Sequence, residues 1–175
     1  MCSQEAVRLL PERVNAMSRK RIAVITARGG SKRIPKKNIK EFCGKPILTY
    51  SIEAALDAGI FDEIMVSTDS EEIARIAKEA GAAVPFLRSE ETAGDFATTA
   101  DVLLEVLDAY KTRGQHYDTL CCIYPTAPFV TGEKLRLATM LLEEKGVDSV
   151  VPVVRYSFPP QRAFVIRNGL TVMKY

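Results

Sequence analysis

A chain of 175 residues with 47% hydrophobic side chains can bury one substantial core and is short for two independent domains. Its 24 Lys and Arg against 22 Asp and Glu leave a formal charge of +2, so any dense cationic stretch is a local feature and not a bulk property. A near-neutral balance, no apolar run near the roughly 18 residues of a membrane span and no secretory leader near Met1 argue against nucleic-acid-binding, membrane-spanning or exported classes and point to a cytoplasmic protein.

The first strand-like segment is the apolar run Ile22-Ala23-Val24-Ile25, after a solvated basic lead-in of Arg19, Lys20 and Arg21. It empties into Ala27-Arg28-Gly29-Gly30-Ser31-Lys32-Arg33-Ile34-Pro35-Lys36-Lys37-Asn38, with six cations between Arg28 and Lys40 and no acid among them. Glycines let backbone N–H groups approach and turn toward a ligand, and converging N–H groups make a concavity for phosphate oxygens. Neither G-x-x-x-x-G-K-[ST] nor G-x-G-x-x-G is present, yet open α/β sheets bind ligands beyond the carboxyl ends of their strands, where this loop falls. No aromatic residue stands between Ile22 and Glu41 on which a nucleic-acid base could stack.

Pro46 fits a first helical position, and Leu48, Ile52, Ala55 and Leu56 recur at helical spacing until Gly59. Glu63 to Thr68 reads as a second strand. Asp69 with Glu72 resembles a capping box opening a helix that carries Ile73, Ile76, Ala77 and Ala80 and closes at Gly81. Val84 to Leu87 reads as a short strand and Arg88 to Thr98 as a polar loop, followed by a helix with Val102, Leu103, Val106, Leu107 and Tyr110 on one face. Leu120 to Tyr124 is a continuous apolar strand of the kind found at the centre of a parallel sheet. Thr131 can cap a helix bearing Leu135, Ala138 and Leu142 that ends at Gly146, and Ser149 to Val154 reads as a further strand. Two short runs flanking Asn168-Gly169 form a hairpin signal. Repeated β-α-β units without a sequence repeat predict one Rossmann-like three-layer α/β/α domain with a mainly parallel sheet.

His116 is the only histidine and lies in a loop-like stretch, which excludes a Ser-His-Asp hydrolase and a His-rich metal site. Cys2, Cys43, Cys121 and Cys122 include no C-x-x-C pair, and the adjacent Cys121 and Cys122 point to opposite faces of their strand, so reduced structural thiols are expected. What remains is a site of fixed cations and backbone donors, suited to phosphoryl-group transfer, which relies on positioning and charge neutralisation.

The basic loop, continued by Phe42-Cys43-Gly44-Lys45-Pro46-Ile47, Val66-Ser67-Thr68-Asp69, Phe86-Leu87-Arg88-Ser89 and Pro125-Thr126-Ala127-Pro128, resembles the acylneuraminate cytidylyltransferases over roughly residues 21 to 175. The resemblance implies a nucleotide-diphospho-sugar transferase fold, CTP and a nine-carbon sugar acid (a nonulosonic acid) as substrates, Mg²⁺ as cofactor and a homodimer at full length. It makes residues 19–175 one cytidylyltransferase domain and residues 1–18 a disordered extension outside the family pattern. It assigns Arg28, Gly29, Gly30, Ser31, Lys32 and Lys37 to the triphosphate, with Arg28 and Lys37 balancing departing pyrophosphate, and Asn38 to the nucleotide. Arg88, Thr98 and Thr99 match positions near the cytosine, where a guanidinium could donate to its O2 and N3 acceptors, although Thr98 and Thr99 read equally well as a helix N-cap pair. Pro125 and Thr126 would line the nucleotide floor.

Sialate-activating members commonly carry Gln before this Pro-Thr, where the present chain has Tyr124. With Phe158-Pro159-Pro160-Gln161-Arg162, that departure resembles the pseudaminic acid branch and makes Tyr124, Gln161 and Arg162 candidate contacts of the sugar acid. The chain stops at Tyr175 in the second hairpin strand, so a C-terminal truncation is expected; the resemblance implies metal-binding aspartates and dimer contacts beyond that point. Two other classes fit less of the sequence. They are a non-catalytic nucleotide-binding module and a dinucleotide-dependent oxidoreductase, the latter lacking the glycine spacing.

Overall fold

The computed structural model describes residues 19–31, 34–155, 157, 161 and 163–174. The chain divides into two compact units, one through Leu137 and one from Ala138.

The first unit is built on three parallel strands, β1 (Arg21–Thr26), β4 (Glu63–Ser67) and β5 (Thr119–Ile123), in the order β4-β1-β5. Between β1 and β4 come a 3₁₀ turn (Lys37–Ile39), the short antiparallel pair β2 (Glu41–Phe42) and β3 (Lys45–Pro46), and helix α1 (Ile47–Ala58). Helices α2 (Glu71–Glu79), α3 (Glu90–Ala93) and α4 (Thr99–Thr112) separate β4 from β5. Val24 of β1 pairs with Met65 on one side and Cys122 on the other.

Because successive strand residues face opposite ways, β1 feeds two cores. Ala23 and Ile25 join Leu48, Ile52, Val66 and Ile73 on one face, whereas Ile22 and Val24 join Met65, Val106 and Tyr110 on the other. Helices therefore cover both faces, the expected three-layer α/β/α arrangement. Tyr110 is buried, and its hydroxyl donates to Glu63 Oε1 at 3.0 Å; burial and that carboxylate push its pKa far up.

Several local readings change. Pro46 is the N-cap of α1 rather than its first residue. Ser70, not Asp69, caps α2, its Oγ accepting from Ile73 N, because Asp69 is drawn away to the β1 loop. Val84 to Leu87 forms no strand. Ala83 alone bridges Met65, and Pro85, lacking an N–H, prevents the ladder from continuing. Within the expected loop Arg88 to Thr98, the single turn α3 forms with Ser89 as its cap. Strand β5 flanks the described sheet, whose centre is β1, and Cys122 is correspondingly exposed.

Helix α5 (Gly132–Lys145) begins where Thr131 Oγ1 accepts from Lys134 N. Gly132 packs against the end of α1, where a Cβ would lie 2.7 Å from Ala58 N, and Arg136 caps α1 by donating to Asp57 O at 2.6 Å and Ala58 O at 3.2 Å. Gly132→Ala is expected to destabilise the protein by about 1–3 kcal/mol through overpacking. Equilibrium unfolding in urea checks this, and an unchanged midpoint would refute it.

In the second unit, Phe164–Arg167 (β6) and Leu170–Met173 (β7) form the expected hairpin, with Asn168 and Gly169 at φ 51° and 76° as a two-residue primed turn requires. Ser149 to Val154 forms no strand among the described residues; Pro152 removes a ladder donor, and Val153 and Val154 are exposed. No helix among the described residues is long and apolar enough to cross a membrane.

Candidate nucleotide site

The chain runs from β1 through α1 to β4 on one side of β1, then crosses to β5 on the other, so the strand order reverses between β1 and β5. Such switch points open a crevice at the strands' carboxyl ends. A pocket of about 270 Å³ lies there. Thr26 and Arg28 reach it from β1, Tyr124, Pro125 and Thr126 from β5, and Thr92, Gly94, Asp95, Ala97, Thr98 and Thr99 from the segment spanning α3 to the start of α4. Lys37, Asn38, Arg88 and Val102 complete the lining.

Each wall is anchored. The Tyr124 carbonyl accepts from Ser51 Oγ of α1 at 2.8 Å, holding the turn into Pro125. Asn38 is buried, and its Nδ2 donates to Arg28 O at 2.8 Å, tying the 3₁₀ turn to the residue after β1; its Oδ1 is buried without a protein partner. Lys36, just before that turn, adopts φ 51° and ion-pairs with Glu72 at 2.8 Å.

Arg88 is the most rigid cation of the pocket. Its N–H donates to Thr68 O at 2.8 Å, while Nε reaches Ser67 Oγ at 3.0 Å and Nη2 reaches Ser67 O at 2.8 Å. Nη1 has no protein partner among the described residues. Burial pulls the guanidinium pKa below its ordinary value, partly offset by the carboxylates of Asp69 and Glu105. Glu105 in turn accepts from Ser89 N at 2.8 Å and from the Thr92 hydroxyl; burial would raise its pKa, but these bonds outweigh it and hold the carboxyl low.

The glycine loop differs from the expected cradle. Gly29 N–H donates to Asp69 Oδ1 at 2.7 Å and Ser31 N–H donates back to Gly29 O at 2.9 Å, leaving Gly30 N–H as the one of these three donors without a partner among the described residues. Neither glycine has a positive φ; Lys36 supplies the left-handed residue instead. Gly29 is needed for close approach, since a Cβ there would meet Ser70 Cβ at 3.0 Å, whereas a Cβ on Gly30 meets nothing within 4 Å. Gly29, Gly30 and Ser31 stand outside the pocket wall, and Lys32 lies outside the described residues.

Thr98 is the N-cap of α4: its Oγ1 accepts from Asp101 N at 3.2 Å, and the Asp101 carboxylate accepts from both the Thr98 hydroxyl and N–H. The Thr98 hydroxyl holds the Asp101 carboxyl below its ordinary range. Thr99 has no such partner and opens toward the pocket as the first residue of α4. Gln161 is exposed in the second unit, and Arg162 lies outside the described residues. Asp95, within the stretch Arg88 to Thr98 expected to be a polar loop, lines the pocket and pairs with Arg28; no sequence pattern links two residues so far apart.

No group of three or more metal-ligating side chains occurs among the described residues. Asp95, the acid in the pocket lining, is engaged by Arg28, and nearby Asp69, Asp101 and Glu105 accept from Gly29, Thr98 and Thr92, so the described residues do not present a site fitted to Mg²⁺.

Residues 22–168 match the family model described as cytidylyltransferase. A pseudaminic acid cytidylyltransferase of Campylobacter jejuni is 38% identical over 156 residues, covering 89% of this chain and 67% of that protein. A CMP-N,N'-diacetyllegionaminic acid synthase of Legionella pneumophila is 40% identical over 139 residues, covering 79% and 60% respectively. Among solved structures, a CMP:2-keto-3-deoxy-manno-octonic acid synthetase complexed with CTP superposes with a TM-score of 0.61 at 22% identity, over 73% of this chain and 48% of that one, a likeness of fold. The chain thus spans about two thirds of the first relative's length and half of this structure. With the family model matched along nearly the whole described sheet and helices, the chain belongs to the cytidylyltransferase family.

Proposed function

We propose that this protein activates a nonulosonic acid with CTP, pseudaminic acid being the substrate favoured, to give the CMP-sugar and pyrophosphate. The observation that carries this reading is the gathering of Arg28, Lys37, Asn38, Arg88, Thr99 and Pro125-Thr126, separated widely in sequence, around one pocket at the sheet's switch point. In the reaction the anomeric hydroxyl oxygen of the acid bonds to the α-phosphorus, the bond from that phosphorus to the bridging oxygen breaks, and pyrophosphate leaves with its electron pair. The hydroxyl proton passes to solvent.

The residues have separable tasks in this scheme. Lys37 and Arg28 neutralise the departing pyrophosphate, and Gly29, Gly30, Ser31 and Lys32 form the rest of the triphosphate loop. Asn38 fixes that loop and offers its Oδ1 to the nucleotide. Arg88 and Thr99 read the cytosine, Thr98 serves as the cap that places Thr99, and Pro125 and Thr126 form the floor. Tyr124, Gln161 and Arg162 are assigned to the sugar acid. Mg²⁺ would enter bound to the triphosphate and supply further charge neutralisation.

We further assign the protein to the cytoplasm, as the free thiols of Cys43, Cys121 and Cys122 support, acting as a homodimer without nucleic acid or membrane partners. Pyrophosphate release measured with CTP and Mg²⁺ should be fastest with pseudaminic acid and weaker with legionaminic or sialic acid. No release with any of the three would refute the activity, and a preference for another acid would refute the sugar assignment.

A further inference from the structure

Two donors of the proposed triphosphate loop already hold carboxylates. Arg28 Nη1 donates to Asp95 Oδ1 at 2.9 Å and to Gly94 O at 3.1 Å, and Gly29 N–H donates to Asp69 Oδ1 at 2.7 Å. Each carboxylate oxygen takes a donor that the proposed site would otherwise offer to a phosphate oxygen.

The two acids differ in how they are held. Asp69 lies two residues beyond the end of β4, and its neighbour Ser70 both caps α2 and sits against Gly29. It belongs to the frame. Asp95 lies in the short connection between α3 and α4, lines the pocket, and leaves 38% of its side chain exposed against 35% for Arg28. Ion pairs this open to solvent are weak, whereas a triphosphate brings several charges to the same guanidinium. Lys36 is occupied elsewhere by Glu72, so Arg28 is the paired cation that nucleotide would have to recruit within the pocket.

We propose that Asp95 is a displaceable counter-anion: the triphosphate exchanges a phosphate oxygen for the Asp95 carboxylate on Arg28 and releases the Gly94-Asp95 segment from the pocket wall. This rests on the reading of the pocket as a CTP site. Asp95 then sets affinity for the phosphates without touching the base, and it keeps Arg28 aligned and charge-balanced while the pocket is free of nucleotide.

Isothermal titration of the wild type, Asp95→Asn, Arg28→Gln and the double variant with tripolyphosphate, CTP and cytidine tests the exchange. Tripolyphosphate and CTP should bind Asp95→Asn about two- to fivefold more tightly than wild type, the range set by the strength of exposed ion pairs. Cytidine binding should not change. The gain should vanish in the Arg28→Gln background, as a coupling through that pair requires. Unchanged or weaker tripolyphosphate binding in Asp95→Asn, no tripolyphosphate binding at all, or a gain that persists without Arg28 would overturn the proposal. If tripolyphosphate responds as expected while CTP does not bind, the exchange stands and the cytidine-nucleotide reading falls.

Discussion

Replacing Lys37 with alanine is expected to lower pyrophosphate release at least about tenfold while leaving the melting temperature unchanged. Lys37 opens the 3₁₀ turn, is exposed, and lines the pocket with no side-chain partner among the described residues. Arg28 and Lys36, by contrast, are paired with Asp95 and Glu72. An uncommitted cation beside a leaving polyanion makes its contact chiefly with the ligand, and a charge-assisted hydrogen bond is worth roughly 1.5–3 kcal/mol. Its removal orphans no buried group in the free protein. Wild-type turnover in Lys37→Ala would take Lys37 out of the reaction.

The second large effect concerns base choice. Wild-type protein should prefer CTP over UTP by about 10- to 100-fold, and Arg88→Lys should bring the two within a few-fold of each other. Two of the three guanidinium nitrogens of Arg88 are committed to Ser67, which fixes the orientation of the third before the nucleotide arrives. Cytosine presents acceptors at O2 and N3, whereas uracil presents an N3–H donor that would leave this guanidinium facing a donor. Lysine keeps the charge but cannot reproduce the fork. Because Arg88→Lys also loses the bonds to Ser67, stability should fall by about 1–3 kcal/mol, and only the CTP-to-UTP ratio reports on base reading. A ratio near one in the wild type, or an unchanged ratio in Arg88→Lys, would remove Arg88 from that role.

Much of this arrangement was visible in the chain itself. The run Ile22 to Ile25 announces a strand buried on both faces because every one of its residues is apolar, and both faces are indeed filled. The motifs around Arg28 and Pro125 follow the parallel strands β1 and β5, so alignment of those strands is enough to bring them to one end of the sheet, where Arg88 is held by its bonds to Ser67 and Thr68. Local chemistry likewise marked Thr98, Gly59, Gly81 and the Asn168-Gly169 turn.

The parts that escaped are those decided by distant partners. Asp69 looks like a helix cap within its own neighbourhood, yet Gly29, forty residues earlier, takes its carboxylate and passes the cap to Ser70. Asp95 sits in an aperiodic loop, and its carboxylate is taken by Arg28, 67 residues away. Val84 to Leu87 and Ser149 to Val154 have strand-like composition, but strands exist only where a neighbour completes the ladder, and each segment carries a proline that cannot donate. Strand β5 read as central from its apolarity, whereas position in the sheet follows from crossover order.

The switch-point pocket between β1 and β5 is expected to hold CTP. A crystal structure of the protein grown with CTP and Mg²⁺ tests it most directly. Cytosine should lie against Arg88 and Thr99, the triphosphate across Lys37 and Arg28, and Asp95 should be displaced from the guanidinium. Ordered CTP bound outside this pocket, or bound within it with the base and phosphate ends reversed, would contradict it.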